Sequence, residues 1–204
     1  MAEALADHFA DAAQQRAAGR LGMTVFLASE AMLFAGMFGL YAAYRLRYPA
    51  EFAHGVAEGV LWAGTLNTWV LLTSSWCIAV ALARLRQGAL RSARLLVGAT
   101  LLLGVVFLVI KGGEYVHHLR TGLAPSGAGA PGHGGTAFTA LYYLMTGTHA
   151  LHVVAGLTLI GLAWRAAARG SPHRLEIAAL YWHFVDLVWV FLWPLFYLLK
   201  QGGA

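Results

Sequence analysis

The chain has 204 residues, of which 59% are hydrophobic and 11% charged. A soluble domain carries roughly a quarter charged residues, so this composition excludes an ordinary soluble enzyme and points to a membrane protein. The net charge of +5 would suggest nucleic acid in a soluble chain, but here the arginines cluster between apolar runs, where membrane topology accounts for them and no nucleic-acid partner is expected.

Residues 1–20 are charged and Ala-rich, with no apolar core before Leu21, so no cleavable signal is expected. Leu5 and Phe9 lie four apart, with acids early and arginines late, a pattern that suits either a short helix lying on the inner membrane surface or a frayed tail. A bilayer core takes about twenty residues of helix. Five runs reach that length: Leu21–Tyr44, Leu61–Ala83, Leu95–Tyr115, Phe138–Trp164 and Ile177–Leu199. The expected fold is an all-α integral membrane protein, with residues 21–199 as one five-helix domain and 200–204 as a tail. Loop charge orients it. The N-terminal segment, the loop after the second run and the loop after the fourth share one side and hold nine of the fourteen basic residues. The N-terminus is therefore expected inside and the C-terminus outside.

Of nine acids, only Glu30 and Asp186 fall deep inside an apolar run. Both sit about ten residues into helices that start on the same side, so they are expected at similar depth. Carboxyls held there serve proton relays or hydrogen-bond a neighbouring helix. On the first run Ala31, Ala35, Gly39 and Ala43 recur every four residues, a stripe that would admit a close helix contact. The second run carries Asn67, Thr68, Ser74 and Ser75; the hydroxyls can bond their own helix, whereas Asn67 is expected to reach a neighbour. The third ends in Lys111-Gly-Gly-Glu114-Tyr115, either an ion pair at the outer interface or a solvated helix end. Residues 116–137 include a Pro- and Gly-rich stretch with no helical pattern.

The fourth run holds His149 and His152, and the fifth holds Trp182, His183 and Asp186, followed by Trp189 and Trp193. Three imidazoles invite a metal or haem. No Glu-x-x-His pair, and no Cys or Met at ligand spacing, completes such a set, so no metal and no cofactor is expected in this chain. The single Cys77 allows neither an internal disulfide nor a thiolate site. No phosphate loop, nucleophile elbow, Cys-x-x-Cys or His-Glu-x-x-His motif is present. No broken pair of half-helices marks a transporter, although a free-standing channel or transporter using the buried acids is the reading of a different class.

The segments together resemble subunit III of the haem-copper respiratory oxidases. Ser29-Glu-Ala-Met-Leu-Phe-Ala-Gly-Met-Phe38, Gly64-Thr-Leu-Asn-Thr68 and Lys111–Tyr115 with Gly122-Leu-Ala-Pro125 carry the likeness in order. The most specific matches are Tyr142-Tyr-Leu-Met-Thr-Gly-Thr-His-Ala-Leu-His-Val153 and Glu176–Trp189. The resemblance implies the five-helix form of the subunit, without a redox centre. It would pack mainly on catalytic subunit I, with subunit II beside it, and those partners would carry haem and copper. It would bind phospholipid and support proton uptake and lasting turnover in a bacterial plasma (inner) membrane. Glu30 matches the family's buried glutamate, and His149, His152, Glu176, Trp182, His183 and Asp186 match its last two helices. Arg165, Arg169 and His173, with Glu176, stand where the family's basic lipid-headgroup contacts precede the final helix. Quinol oxidases have a similar subunit, and nitric-oxide reductases a related accessory protein. The third helix end and its loop look more like bacterial cytochrome c oxidases.

Overall fold

The structure, a computed structural model, describes residues 9–121, 132–167 and 172–199. In chain order these form α1 (Ala12–Arg47), α2 (Pro49–Glu58), α3 (Leu61–Arg86), α4 (Leu90–Arg120), α5 (Gly132–Ala167) and α6 (Pro172–Trp193), followed by a π-helical turn, Pro194–Leu198. No strand occurs among the described residues. Helices α1, α3, α4 and α5, and α6 with its turn, are long and apolar enough to cross a membrane, as the hydrophobic runs require.

The helices are longer than the runs that announced them. Both α1 and α5 have 36 residues. At ~1.5 Å per residue each spans about 54 Å, well beyond a hydrocarbon core of roughly 30 Å. Their ends therefore continue into the polar layers, where charge no longer stops a helix. Helix α1 runs without a break through the expected boundary at residue 20, from an N-cap in which Asp11 accepts the Gln14 N–H at 2.7 Å. The supposedly irregular stretch 116–137 is helical up to Arg120 and again from Gly132. Residues 49–58, too short for a bilayer, form the amphipathic α2, which starts on Pro49 and buries Phe52 and Val56. At Pro194 the missing N–H breaks the i→i−4 ladder, and the chain widens into the π turn closed by Leu199 N–H to Pro194 O at 3.0 Å.

Two antiparallel hairpins build the core. The pair α3–α4 turns at Gly88, whose φ of +77° suits a residue without Cβ. The pair α5–α6 packs against α3 through α6, and α1 lies on the outer side of α5 and α6. The contact between the hairpins is close because glycines receive a large ring. A Cβ at Gly156 would stand 2.7 Å from Trp182, and one at Gly104 would meet Leu157 and Trp182 at 2.5 and 2.9 Å. The small-residue stripe of α1 is not such a contact. Ala31, Ala35, Gly39 and Ala43 are exposed, and α1 instead buries the bulkier Phe34, Met37 and Tyr41 against its neighbours.

Candidate functional site

The polar side chains of the four core helices fall into layers between the hairpins. In one layer, Trp182 Nε1 donates to Ser74 Oγ at 3.0 Å, and the Thr100 hydroxyl reaches the Ser74 carbonyl at 3.3 Å. In the next, His183 Nδ1 and Ser75 Oγ are 2.6 Å apart, beside the buried Asp186. One turn further, Trp189 Nε1 donates to Thr68 Oγ1 at 3.1 Å, and its ring packs on Phe107 and His149 at centroid distances of 4.8 and 5.2 Å. Asn67, adjacent to Thr68, is fully buried, and neither of its side-chain polar atoms has a partner in the protein. The expected bond from Asn67 to a neighbouring helix is thus not made. The indole N–H of Trp189 goes to Thr68 next to it.

The last layer is a closed ionic tetrad. Lys111 Nζ donates to Glu114 at 3.0 Å, to Tyr142 Oη at 2.9 Å and to Tyr197 Oη at 2.7 Å. Both tyrosine hydroxyls donate in turn to Glu114 Oε1, at 2.8 and 2.6 Å. An ammonium has three donors, and all are used. Lys111 and Glu114 are 2% and 5% exposed, so the pair is neither an interface pair nor a solvated helix end. Burying these charges is costly, and the tyrosines with the surrounding ring faces offset the lost hydration. The tetrad ties α4, α5 and the π turn together.

The histidines do not converge. His149 lies between Phe107 and Trp189, and His183 turns to α3. His152 turns to α1, with Nε2 3.0 Å from Glu30 Oε2 and Nδ1 2.8 Å from the Thr148 carbonyl. A carbonyl only accepts, so Nδ1 carries a proton. The 3.0 Å contact then requires one further proton shared between Nε2 and the Glu30 carboxyl. Glu30 and Asp186 accordingly occupy different interfaces, α1–α5 and α3–α6. Among the described residues no three of His, Cys, Asp and Glu group so as to hold a metal ion.

At the opposite end from the tetrad, Glu176 accepts from Arg86 at 2.8 Å and from Arg20 at 3.3 Å, and lies 3.6 Å from His173. These bonds clamp α6 to α1 and α3, so Glu176 is a counter-charge for arginines. Beside the clamp, Arg16, Met23, Leu159, His173, Arg174 and Ile177 line a cleft of about 580 Å³ between α1, α5 and α6. Of the basic residues expected near such a site, His173 lines it. Arg165 is exposed and not part of its wall, and Arg169 lies outside the described residues. A second groove of about 230 Å³, wholly apolar, runs between Phe34, Phe38, Phe184 and Phe191 of α1 and α6, with Ala31 and Ala35 in its wall.

The model of the family described as cytochrome c oxidase subunit III matches residues 3–201. The chain belongs to that family. A cytochrome c oxidase subunit 3 of Synechocystis sp. is 35% identical over 87% of this chain and 74% of its own length. One from Thermostichus vulcanus is 34% identical, with 89% of this chain and 87% of the relative covered. A quinol oxidase subunit 3 of Bacillus subtilis is 32% identical, with 90% and 88% covered. As an oxidase subunit III the chain is part of a multi-subunit enzyme complex and a multi-pass membrane protein. That membership sets aside the reading as a free-standing transporter or channel.

Seen in this subunit III, the signature residues of the last two helices divide between the two faces of the α5–α6 layer. His152 and Tyr181 face α1, whereas Trp182, His183 and Asp186 face α3. Sequence reasoning missed Tyr142 and Tyr197 as partners of Lys111, and Arg16, Arg20, Arg86 and Arg174 at the other end. One signal was available: a lysine within an apolar run needs three acceptors, and with Glu114 supplying one from the same helix the others had to come from polar side chains elsewhere in the fold.

Proposed function

We propose that this chain is the accessory, non-redox subunit of a proton-pumping terminal oxidase that reduces O₂ to water in a bacterial plasma (inner) membrane. It packs mainly on subunit I, with subunit II nearby, and those partners carry the haem and copper. Its N-terminus faces inside and its C-terminus outside. The single observation that carries the reading is the match of residues 3–201, from end to end of the membrane domain, to the subunit III family. The role of the subunit is to stabilise the catalytic subunit, to support proton uptake and to hold phospholipid. Supporting the lipid role is the cleft at the inner end, where Arg16, Arg174 and His173 stand at the mouth and Met23, Leu159 and Ile177 form an apolar wall. Guanidinium groups grip phosphate oxygens in pairs, and apolar walls suit acyl chains. Cytochrome c is the favoured electron donor; a quinol is the second reading, favoured by the Bacillus subtilis relative's name.

Affinity purification of the tagged chain from its native membrane tests this. Haem and copper should co-purify with larger subunits, and the preparation should oxidise reduced cytochrome c. Quinol oxidation in its place would select the second reading, and a chain that purifies without haem-bearing partners would overturn both.

A further inference from the structure

The layers around Trp189 contain more buried polarity than the protein itself satisfies. Asn67 and His149 are 0% exposed and Asp186 is 3% exposed. Both side-chain polar atoms of each, six in all, lack a hydrogen-bond partner in the chain. Each is linked to Trp189, by contact or through its sequence neighbour. Asn67 adjoins Thr68, which accepts from Trp189; His149 packs on the other side of that same ring; Asp186 precedes it by one turn. Neighbouring groups are already committed. Ser75 Oγ lies beside Asp186 and 2.6 Å from His183 Nδ1, so its single proton can serve at most one carboxyl oxygen, and all three donors of Lys111 are taken. An unsatisfied buried polar group is costly even in soluble proteins, and hydrocarbon supplies no partner from outside.

We infer that α3, α5 and α6 enclose a binding site for a short file of internal water molecules, held by Asn67, His149 and Asp186 around the Trp189 ring. A buried water makes roughly three hydrogen bonds, so about two or three waters satisfy six atoms. The donor and acceptor inventory matches this. The amide offers both kinds of group, a neutral imidazole offers one of each, and the carboxyl accepts in either protonation state. The file is bounded at one end by the closed Lys111 tetrad and at the other by the Trp182–Ser74 bond, where Gly104 and Gly156 are filled by the Trp182 ring. The site extends the polar contact of His183 and Ser75 through Asp186 to the α5 side of the core, and it needs no metal and no redox group.

Two tryptophans on one helix provide the test. Trp182 and Trp189 are equally buried, at 0% and 1% exposure, but the Trp189 ring lies along the file, between Thr68 and His149, whereas the Trp182 ring is packed into the Gly104 and Gly156 notches and only closes one end of it. Hydroxyl radicals generated by a brief X-ray pulse label side chains next to bound water. The chain, in the complex extracted from its membrane, is pulsed and the labelling of both rings is read by mass spectrometry. Trp189 should be modified several-fold faster than Trp182, and Asn67→Leu should bring its rate down towards that of Trp182. Equal, slow labelling of both rings in the wild type would overturn the inference. So would fast labelling of Trp189 that Asn67→Leu leaves unchanged, because the radicals would then reach the ring by another route. If Asn67→Leu fails to assemble, the wild-type comparison alone decides.

Discussion

Lys111 shows how far a single residue in this core depends on its partners. Removing one member of a buried ion pair strands the other, at a cost of about 3–5 kcal/mol, whereas removing both costs far less. Lys111→Met should therefore lower the thermal stability of the chain sharply, and Lys111→Met combined with Glu114→Leu should recover much of the loss. Circular dichroism melting of the purified complex would read this. A double variant no better than the single one would mean that the tyrosine bonds, and not the charge pair, hold the tetrad. Glu30 belongs to a different case. Its contact with His152 joins α1 to α5 away from the core layers. Glu30→Gln keeps the size and a hydrogen-bond donor, so initial oxidase turnover should stay within a few-fold of wild type. Complete loss of activity in a correctly assembled complex would make Glu30 an obligatory part of the mechanism.

At the scale of helices, what could be read in advance was what depends on local composition. Five apolar runs gave five membrane helices because a run of about twenty apolar residues satisfies its backbone groups in hydrocarbon within itself only as a helix. Helix α2 was not legible, since ten residues with Glu51, His54 and Glu58 carry no bilayer signal and only packing of Phe52 and Val56 orders them. The small-residue stripe of α1 meets no helix of this chain, because spacing says that a face could pack closely, not which element it packs on. The close contacts were instead at Gly104 and Gly156, isolated glycines whose meaning depends on a tryptophan from another helix. The tetrad was half legible: Lys111 and Glu114 are neighbours in sequence, but Tyr142 and Tyr197 arrive through the fold. The glycines allow a direct check. Gly156→Ala should cost about 1–3 kcal/mol, the usual range for overpacking, because the Trp182 ring cannot withdraw without giving up its bond to Ser74. Gly98→Ala, where a Cβ meets nothing within 4 Å, should be neutral or slightly stabilising. Equal melting temperatures for the two variants would contradict this packing of α5 against α6.

The molecule as a whole has a dense four-helix core and an outer helix, α1, whose junction with α5 and α6 leaves two grooves, of about 580 and 230 Å³. Arg16→Ala/Arg174→Ala should reduce the phospholipid retained by the purified complex, measured by native mass spectrometry, while Arg165→Ala should have a smaller effect because its side chain does not line the cleft. Equal losses in both cases would place the headgroup elsewhere. The grooves and the family membership support the central claim of the proposed function: the subunit does not carry out the oxidase reaction but prolongs it. The most direct measurement follows O₂ consumption by the oxidase complex through many turnovers, with this chain present and after its removal. The initial rate should persist without the chain and then decay much sooner, and adding the chain back should restore the lifetime. An initial rate that vanishes when the chain is removed, or a lifetime that does not change, would contradict the claim.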